Sequence, residues 1–228
     1  PTWQGQLQGA PDTSHDVQMY DVDLVDTSQA DIDALHGDGR VVVCYFSGGS
    51  YEDWRPDAGD FPSEALGNPL GGWPGEYWLD VTHPTVRSIM EARLDLAVAK
   101  SCDGVEPDNV DGYTNNNGLG LTAQDQLDYN QFLADAAHAR GLSVGLKNDL
   151  DQVASLEPWF DWALNEECMT YHECSTLQPF LDSNKAVFHV EYVDEEADGP
   201  AMADQVCGDP SIAGFSTLIK QWDLLSWV

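Results

Sequence analysis

GVEPDNVDGY, residues 104–113, begins as an apolar strand and then places Glu106, Asp108 and Asp111 within six positions. Alone, such an acidic cluster fits a calcium loop or a solvated turn as well as anything else. Its meaning depends on whether other strand-like runs in the chain end in the same way.

They do. Apolar runs bounded by turn residues recur as WQGQLQG (3–9), QMYDVDL (18–24), RVVVCYFS (40–47), LSVGLKN (142–148), WALNE (162–166), KAVFHVEY (185–192) and IAGFSTLIK (212–220). With GVEPDN (104–109) they make eight expected strands. Their C-terminal ends carry Gln6 and Gln8, Asp21 and Asp23, Tyr45 and Ser47, Glu106 and Asp108, Lys147 and Asn148, Asn165 and Glu166, Glu191 and Tyr192, and Lys220. The chain has only four lysines, and two of them stand at these ends.

Helical patterns alternate with the strands. PTVRSIMEARLDLAVAKS (84–101) opens on a proline, and Val86, Ile89, Met90, Leu94 and Ala97 form one apolar stripe. LTAQDQLDYNQFLADAAHARG (121–141) has Thr122 as its expected N-cap and Gly141 as its stop. QADIDALHGDG, EPWF and CSTLQPFLDSN predict shorter helices before the third, sixth and seventh strands. The alternation predicts an α/β fold: a (β/α)8 TIM-type barrel filling residues 1–228 as one catalytic domain. An open doubly wound sheet is disfavoured because no glycine-rich phosphate loop follows the first strand. Residues 48–83, rich in Gly and Pro and holding Trp54, Trp73 and Trp78, are too long for an ordinary barrel loop. They predict an excursion after the third strand that walls a cleft on the face where barrel chemistry occurs.

Forty acidic residues against nine basic ones give a net charge of −31. That excludes nucleic acid as a partner, since phosphate binding needs a basic face. It suits a solvated acidic coat, a cleft that concentrates a cationic substrate, or both. No run is long and apolar enough for a membrane span. The chain starts at Pro1 without a basic-then-apolar leader, so a secreted protein whose export signal has been removed is the expectation. Of five cysteines, Cys168 and Cys174 are close enough in sequence to form a disulfide, while Cys44, inside VVVCYF, is the expected buried free thiol. His172 lies between the first pair, but no second ligand pair at zinc spacing exists, so neither metal nor cofactor is expected.

Carboxylates at strand ends, with aromatics and no metal cage, suit glycoside hydrolysis, which needs one protonated and one ionised carboxyl group. Trp54, Trp73, Trp78 and Tyr113 would offer flat faces to sugar rings. Gln6, Asp21, Asp23, Tyr45, Ser47, Asn148, Asn165, Tyr192 and Lys220 would bind polar groups.

WQGQLQG, YDVDLVDT, VVCYFSGGSYEDWRPD, WPGEYWLD, CDGVEPDNVDGY, GLSVGLKND, NEEC and VEY, in this order over most of the chain, resemble the endo-α-1,4-polygalactosaminidase family, glycoside hydrolase family 114. The resemblance implies a barrel that cleaves a partly deacetylated, and therefore cationic, galactosamine-containing polysaccharide as a monomer. It places the catalytic carboxylates on Asp108 of EPDN and Glu166 of NEEC. In similar α-acting barrels the strand-four Asp is the nucleophile and the strand-six Glu the acid/base, which implies a retaining endo-hydrolase. Lys147 is then expected to keep Asp108 ionised, while Glu106, Asn109, Asp111 and Glu191 hold sugar groups or the catalytic pair. Two departures stand out. Gly5 replaces a frequent Trp, which would open a subsite. Glu167 replaces the Gln of NEQC, and its charge would raise the pKa of Glu166. The alternatives are a catalytically silent carbohydrate-binding barrel and an α-galactosidase-like enzyme of other specificity.

Overall fold

Valines, isoleucines and aromatics concentrate in the eight expected runs, and short polar or glycine-containing segments separate them, so strands and helices alternate. The computed structural model describes residues 1–228. Along the chain the elements are β1 (Trp3–Gln6), β2 (Met19–Asp23), α1 (Gln29–Gly37), β3 (Val41–Ser47), β4 (Ser50–Glu52), β5 (Leu66–Pro69) and β6 (Glu76–Leu79). Next come α2 (Pro84–Ala99), β7 (Gly104–Asp108), α3 (Ala123–His138), β8 (Ser143–Lys147), α4 (Val153–Leu156) and β9 (Trp162–Glu166). The last are α5 (Gln178–Asp182), β10 (Ala186–Tyr192), α6 (Gly199–Gly208) and β11 (Ser216–Lys220).

Eight strands pair in the order β1-β2-β3-β7-β8-β9-β10-β11, all parallel, as a (β/α)8 barrel requires. The expected fourth strand is β7 and the expected sixth is β9. The seam between β11 and β1 is closed by side chains and by the C-terminal tail. Trp3 Nε1 donates to Ser216 O (2.9 Å), Gln4 Nε2 to Ser226 O (2.6 Å), and Leu7 N to Leu224 O (3.1 Å).

The two faces of the sheet bury different cores. Outward side chains such as Tyr20, Val22, Val42, Phe46, Val105, Val144 and Leu146 pack with the helix stripes, including Ile32, Met90, Leu94 and Leu133. Inward ones (Trp3, Met19, Val43, Trp162, Leu164, Phe188, Val190) fill the lower lumen, with Tyr192 above them at the rim. Gly145 is required by that filling: a Cβ there would lie 2.1 Å from the Trp162 ring. With the lower lumen plugged, chemistry is confined to the opposite rim.

The excursion is a three-stranded antiparallel sheet, β4-β6-β5, raised over the C-terminal end of β3. Gly49 lets it approach β7 closely, since a Cβ would sit 1.8 Å from Asn109 O. Thr122 caps α3 as expected, and Asp125 returns a bond to its N–H.

Some expectations are corrected. EPWF forms only a 3-10 turn, Glu157–Trp159, after the one-turn α4. The helix α6 went unpredicted, because its apolar side is short, chiefly Met202 and Val206, and only Pro200 hints at a helix start. Cys44 is not a free thiol. It is bonded to Cys102, tying β3 to the end of α2, and the free cysteine is the exposed Cys207. Cys168 and Cys174 pair as expected.

The Cys44–Cys102 bond spans 58 residues of sequence, and chain-entropy reasoning assigns such a loop about 4 kcal/mol. Cys44→Ala should lower the melting temperature by roughly 8–16 °C, read by calorimetry. An unchanged melting temperature would show that the bond does not restrain the unfolded chain.

Candidate active site

The strands β7, β8 and β9 lie side by side, so their last residues meet at the rim. Alternation points Glu106 and Asp108, Lys147, and Leu164 and Glu166 into the lumen. The Lys147 ammonium, itself buried, lies 2.7 Å from Glu106 Oε1 and 3.6 Å from both Asp108 Oδ1 and Glu166 Oε1. Those two oxygens are therefore no more than twice the latter distance apart.

Each carboxylate has its own donors. Asp108 Oδ1 accepts from Asn109 N (2.7 Å) and Oδ2 from the Tyr45 hydroxyl (3.2 Å). Glu166 Oε1 accepts from the Tyr192 hydroxyl (2.6 Å) and Oε2 from Asn148 Nδ2 (3.1 Å). Asn148 Oδ1 in turn accepts from Glu166 N (2.9 Å) and Asn165 Nδ2 (3.1 Å), so one amide fixes both the backbone and the carboxylate of Glu166. The chain turns sharply after each strand: Asn109, Asn148, Asp149 and Glu167 all have positive φ. Asn and Asp tolerate that conformation well, but Glu167 bears strain of order 1 kcal/mol.

These surroundings split the two carboxyl groups. Burial pushes Asp108 up to about 6 against the pull of Lys147, and the charges of Glu166 and Glu106 add to the rise. Burial also pushes Glu166 upward, but Lys147 and the Tyr192 and Asn148 hydrogen bonds outweigh it and hold Glu166 below the ordinary value. Two expectations are therefore reversed. Lys147 alone does not hold Asp108 low, because desolvation wins. Glu167 does not raise Glu166, whose Lys147 and Tyr192 partners dominate. Lys147 stays protonated, raised well above its ordinary value by Asp108, Glu106 and Glu166 despite burial.

The cleft over this pair is lined by Tyr45, Trp73, Trp78, Asp108, Asn109, Asp111, Lys147, Asn148, Glu166 and Tyr192, all expected at the site. Beneath it, Asp21, Glu106 and Lys220 border a small cavity inside the barrel. Lys220 donates to Leu225 O and anchors the C-terminal tail. Gly5 borders the same cavity, where the Trp3 ring lies 3.2 Å from where its Cβ would be. Asn165 lines a separate acidic recess beside Glu166, with Asp149, Asp151, Glu167 and Glu173.

Six residues expected to touch substrate are placed elsewhere. Gln6 turns back onto its own loop, bonding Gln8 O, Ala10 O and Asp12 N. Asp23 is buried against Arg55 at 2.7 Å. Ser47 is buried, bonding Ser50 and Asn109. Glu191 points out of the barrel, where it accepts from Met169 N and Thr170 and contacts His189. Trp54 is exposed away from the cleft, and Tyr113 lies beside Asp149. A one-residue shift along a strand reverses the face, which is why strand-end position alone misplaced Glu191, whereas Asp23 shares the face of Asp21 and is taken by Arg55 of the excursion.

The cleft also recruits side chains not foreseen: Leu70, Glu76, Asn115, Trp222 and Leu224. Trp222 stacks on Tyr192 with ring centroids 4.0 Å apart and offers a half-exposed face at the cleft mouth. It sits in an irregular tail, where no periodicity could flag it. Glu76 was passed over as one more acid of the excursion.

Comparison with known proteins agrees with this geometry. The family model for glycoside-hydrolase family GH114 matches residues 1–228. Among solved structures, Ega3 of Aspergillus fumigatus, in complex with galactosamine, is 45% identical with a TM-score of 0.95, covering 99% of this chain and 93% of that one. The glycoside hydrolase domain of PelA from Pseudomonas aeruginosa shares the fold at 12% identity and a TM-score of 0.76, covering 98% and 95%. Amy13B of Eubacterium rectale shares it more distantly, at 10% identity and 0.58, covering 92% and 58%. No curated protein sequence matches the chain. A barrel of this order, two carboxylates flanking one buried lysine, and a family match over its whole length place the chain among the glycoside hydrolases, as a member of family GH114.

Proposed function

We propose that the chain is a secreted, retaining endo-glycosidase that cleaves α-1,4-linked, partly deacetylated galactosaminoglycan with Asp108 and Glu166. The observation that carries this reading is the single Lys147 ammonium facing both carboxylates from 3.6 Å at the floor of an acidic cleft. The free pair's single proton rests on Asp108 and passes to Glu166 when substrate binds, so that Asp108 attacks the anomeric carbon as the carboxylate while Glu166 gives the proton to the leaving oxygen. A water then enters, Glu166 takes its proton, and the glycosyl–Asp108 ester is hydrolysed with the anomeric configuration retained. Retaining enzymes hold their carboxyl groups ~5 Å apart and inverting ones ~6.5–9.5 Å, and the bound set by the two 3.6 Å contacts to Lys147 admits the closer spacing. Ega3, which binds galactosamine, supports the choice of sugar, as does the −31 charge. Two disulfides suit an oxidising compartment outside the cell. No helix is long and apolar enough to cross a membrane.

Asp108→Asn and Glu166→Gln should each lower kcat by about a thousandfold or more on deacetylated polymer. The first sugar released by the native enzyme should be the α-anomer by proton NMR. Binding without any cleavage by the native protein would leave a binding barrel instead. Equal hydrolysis of neutral galactan would point to another specificity, and a β-anomer would exclude retention.

The pH profile follows from the split pair. The active form carries one proton shared between Asp108 and Glu166. It is lost as pH rises through about 6, the raised value of Asp108, and also as pH falls far enough to protonate Glu166. kcat/KM should therefore be bell-shaped, with its basic limb near pH 6. Tyr192→Phe removes a donor to ionised Glu166, so the acidic limb should move to higher pH while the basic limb moves less.

Salt should raise KM for the cationic polymer by screening the cleft. A KM that stays constant up to molar salt would assign the acidity to surface solvation alone.

A further inference from the structure

Building on the reading above, we propose that Glu76 determines acetylation specificity: its carboxylate takes the ammonium of one deacetylated galactosamine unit held against the Trp73–Trp78 wall. Glu76 opens β6 in the excursion and lines the cleft with Leu70, Trp73, Trp78 and Asn115. It is only 7% exposed. Its Oε2 accepts from Ser50 Oγ at 2.7 Å, whereas its Oε1 accepts no hydrogen bond from the protein and no cation pairs with it. That oxygen is the free edge of a nearly buried carboxylate, open on the cleft side, where an ammonium would give it the charged partner the protein does not.

The protein supplies no cation for it. Lys147 is the one cation lining the cleft, and it is committed to Glu106 and the catalytic pair. Behind the wall, Arg55 holds Asp23 at 2.7 Å and Glu52 at 2.8 Å, and Arg93 holds Asp57 at 2.8 Å. The charged groups that act on Glu76 are Glu52 from β4, Asp108 from β7 and, with opposite sign, Arg55. Burial pushes it up to about 7, against the Ser50 bond, and the two carboxylates add to the rise. An incoming ammonium relieves both causes at once. A hydroxyl brings no charge, and an acetamido group brings bulk without charge. Only the free amine satisfies the position.

The position is also wired to the chemistry. Ser50 Oγ contacts Ser47 Oγ at 2.6 Å, and Asn109 Nδ2 donates to both serines, at 3.0 Å to Ser47 and 3.3 Å to Ser50. The Asn109 N–H holds Asp108. The bound amine is thus registered against the nucleophile through three side chains, which fixes where a deacetylated unit falls relative to the cut.

The experiment is mass-spectrometric sequencing of the oligomers released from a partly acetylated α-1,4-galactosamine polymer by the native enzyme and by Glu76→Gln, with kinetics on the fully deacetylated polymer. The native enzyme should leave a deacetylated unit at one fixed position from each new end, and Glu76→Gln should randomise it. On fully deacetylated polymer, Glu76→Gln should raise KM about tenfold, the worth of one charged hydrogen bond, with kcat little changed. An identical product pattern from the two proteins, or no fixed position in the native products, overturns the role of Glu76 and leaves the hydrolase reading intact. No cleavage by the native enzyme overturns the hydrolase reading, and the role of Glu76 with it. A change in kcat alone, with the pattern kept, would mark Glu76 as structural and also overturn the proposal.

Discussion

A lysine ammonium buried inside a barrel loses hydration worth several kcal/mol, and the upper half of this lumen is arranged around offsetting that loss. Lys147 is 4% exposed and touches Glu106 directly, with Asp108 and Glu166 one step further out. Glu106 is the structural partner, close enough for a charge-assisted hydrogen bond. The other two share the remaining field of the cation, which lets them sit near each other without both being forced to protonate. Removing Lys147 would leave Glu106 buried without its partner, so the fold and the chemistry depend on the same ion pair. Asp21, deeper in the lumen, has its carboxyl pushed well up by burial and by Glu106, so no further charge accumulates below.

Around that ion pair the backbone does the aiming. Left-handed residues follow β7, β8 and β9 in turn, and each lets the chain leave the barrel steeply while a side chain stays over the rim. Asn148 is the centre of this arrangement. It holds the Glu166 N–H and carboxylate and the Asn165 amide, so the Glu166 carboxylate cannot swing independently of β8. The Cys168–Cys174 bond and the Glu191 contacts to Met169 and Thr170 brace the loop behind Glu166 from outside the barrel. Glu191, expected to hold either sugar groups or the carboxylate pair, thus braces the loop that follows Glu166.

Most of the fold was legible because its cause is local and periodic. Continuous apolar strands, amphipathic helices and the Thr122 cap each declare themselves within about twenty residues. The misses have equally physical reasons. α6 offers only Met202 and Val206 as an apolar side, too little to read, and EPWF is too short to close a second α-turn. Cys44 looked like a core residue because nothing in VVVCYF reveals that Cys102, 58 positions on, lies beside it. In the site, Tyr45, Trp73, Trp78 and Asn148 were found from strand-end and loop position, and they line the cleft with Asp108 and Glu166. Glu191 was misplaced by the same rule, because nearness to a strand end does not state which face a side chain takes, and Asp23 because nothing near it in sequence shows that Arg55 takes it.

By itself, then, the sequence determined the barrel, the excursion over its third strand, and the identity of Asp108 and Glu166 as the carboxylates to watch. The barrel and the excursion follow from periodicity and composition, which are properties of neighbouring residues, and the two carboxylates from the motifs that resemble the family. Only the tertiary structure decided that Lys147 stands between them and that Asp108 rather than Glu166 has the raised affinity for a proton. It also decided that Trp222 and Glu76 belong to the cleft. Burial and through-space charge set those properties, and both arise from residues brought together from distant parts of the chain.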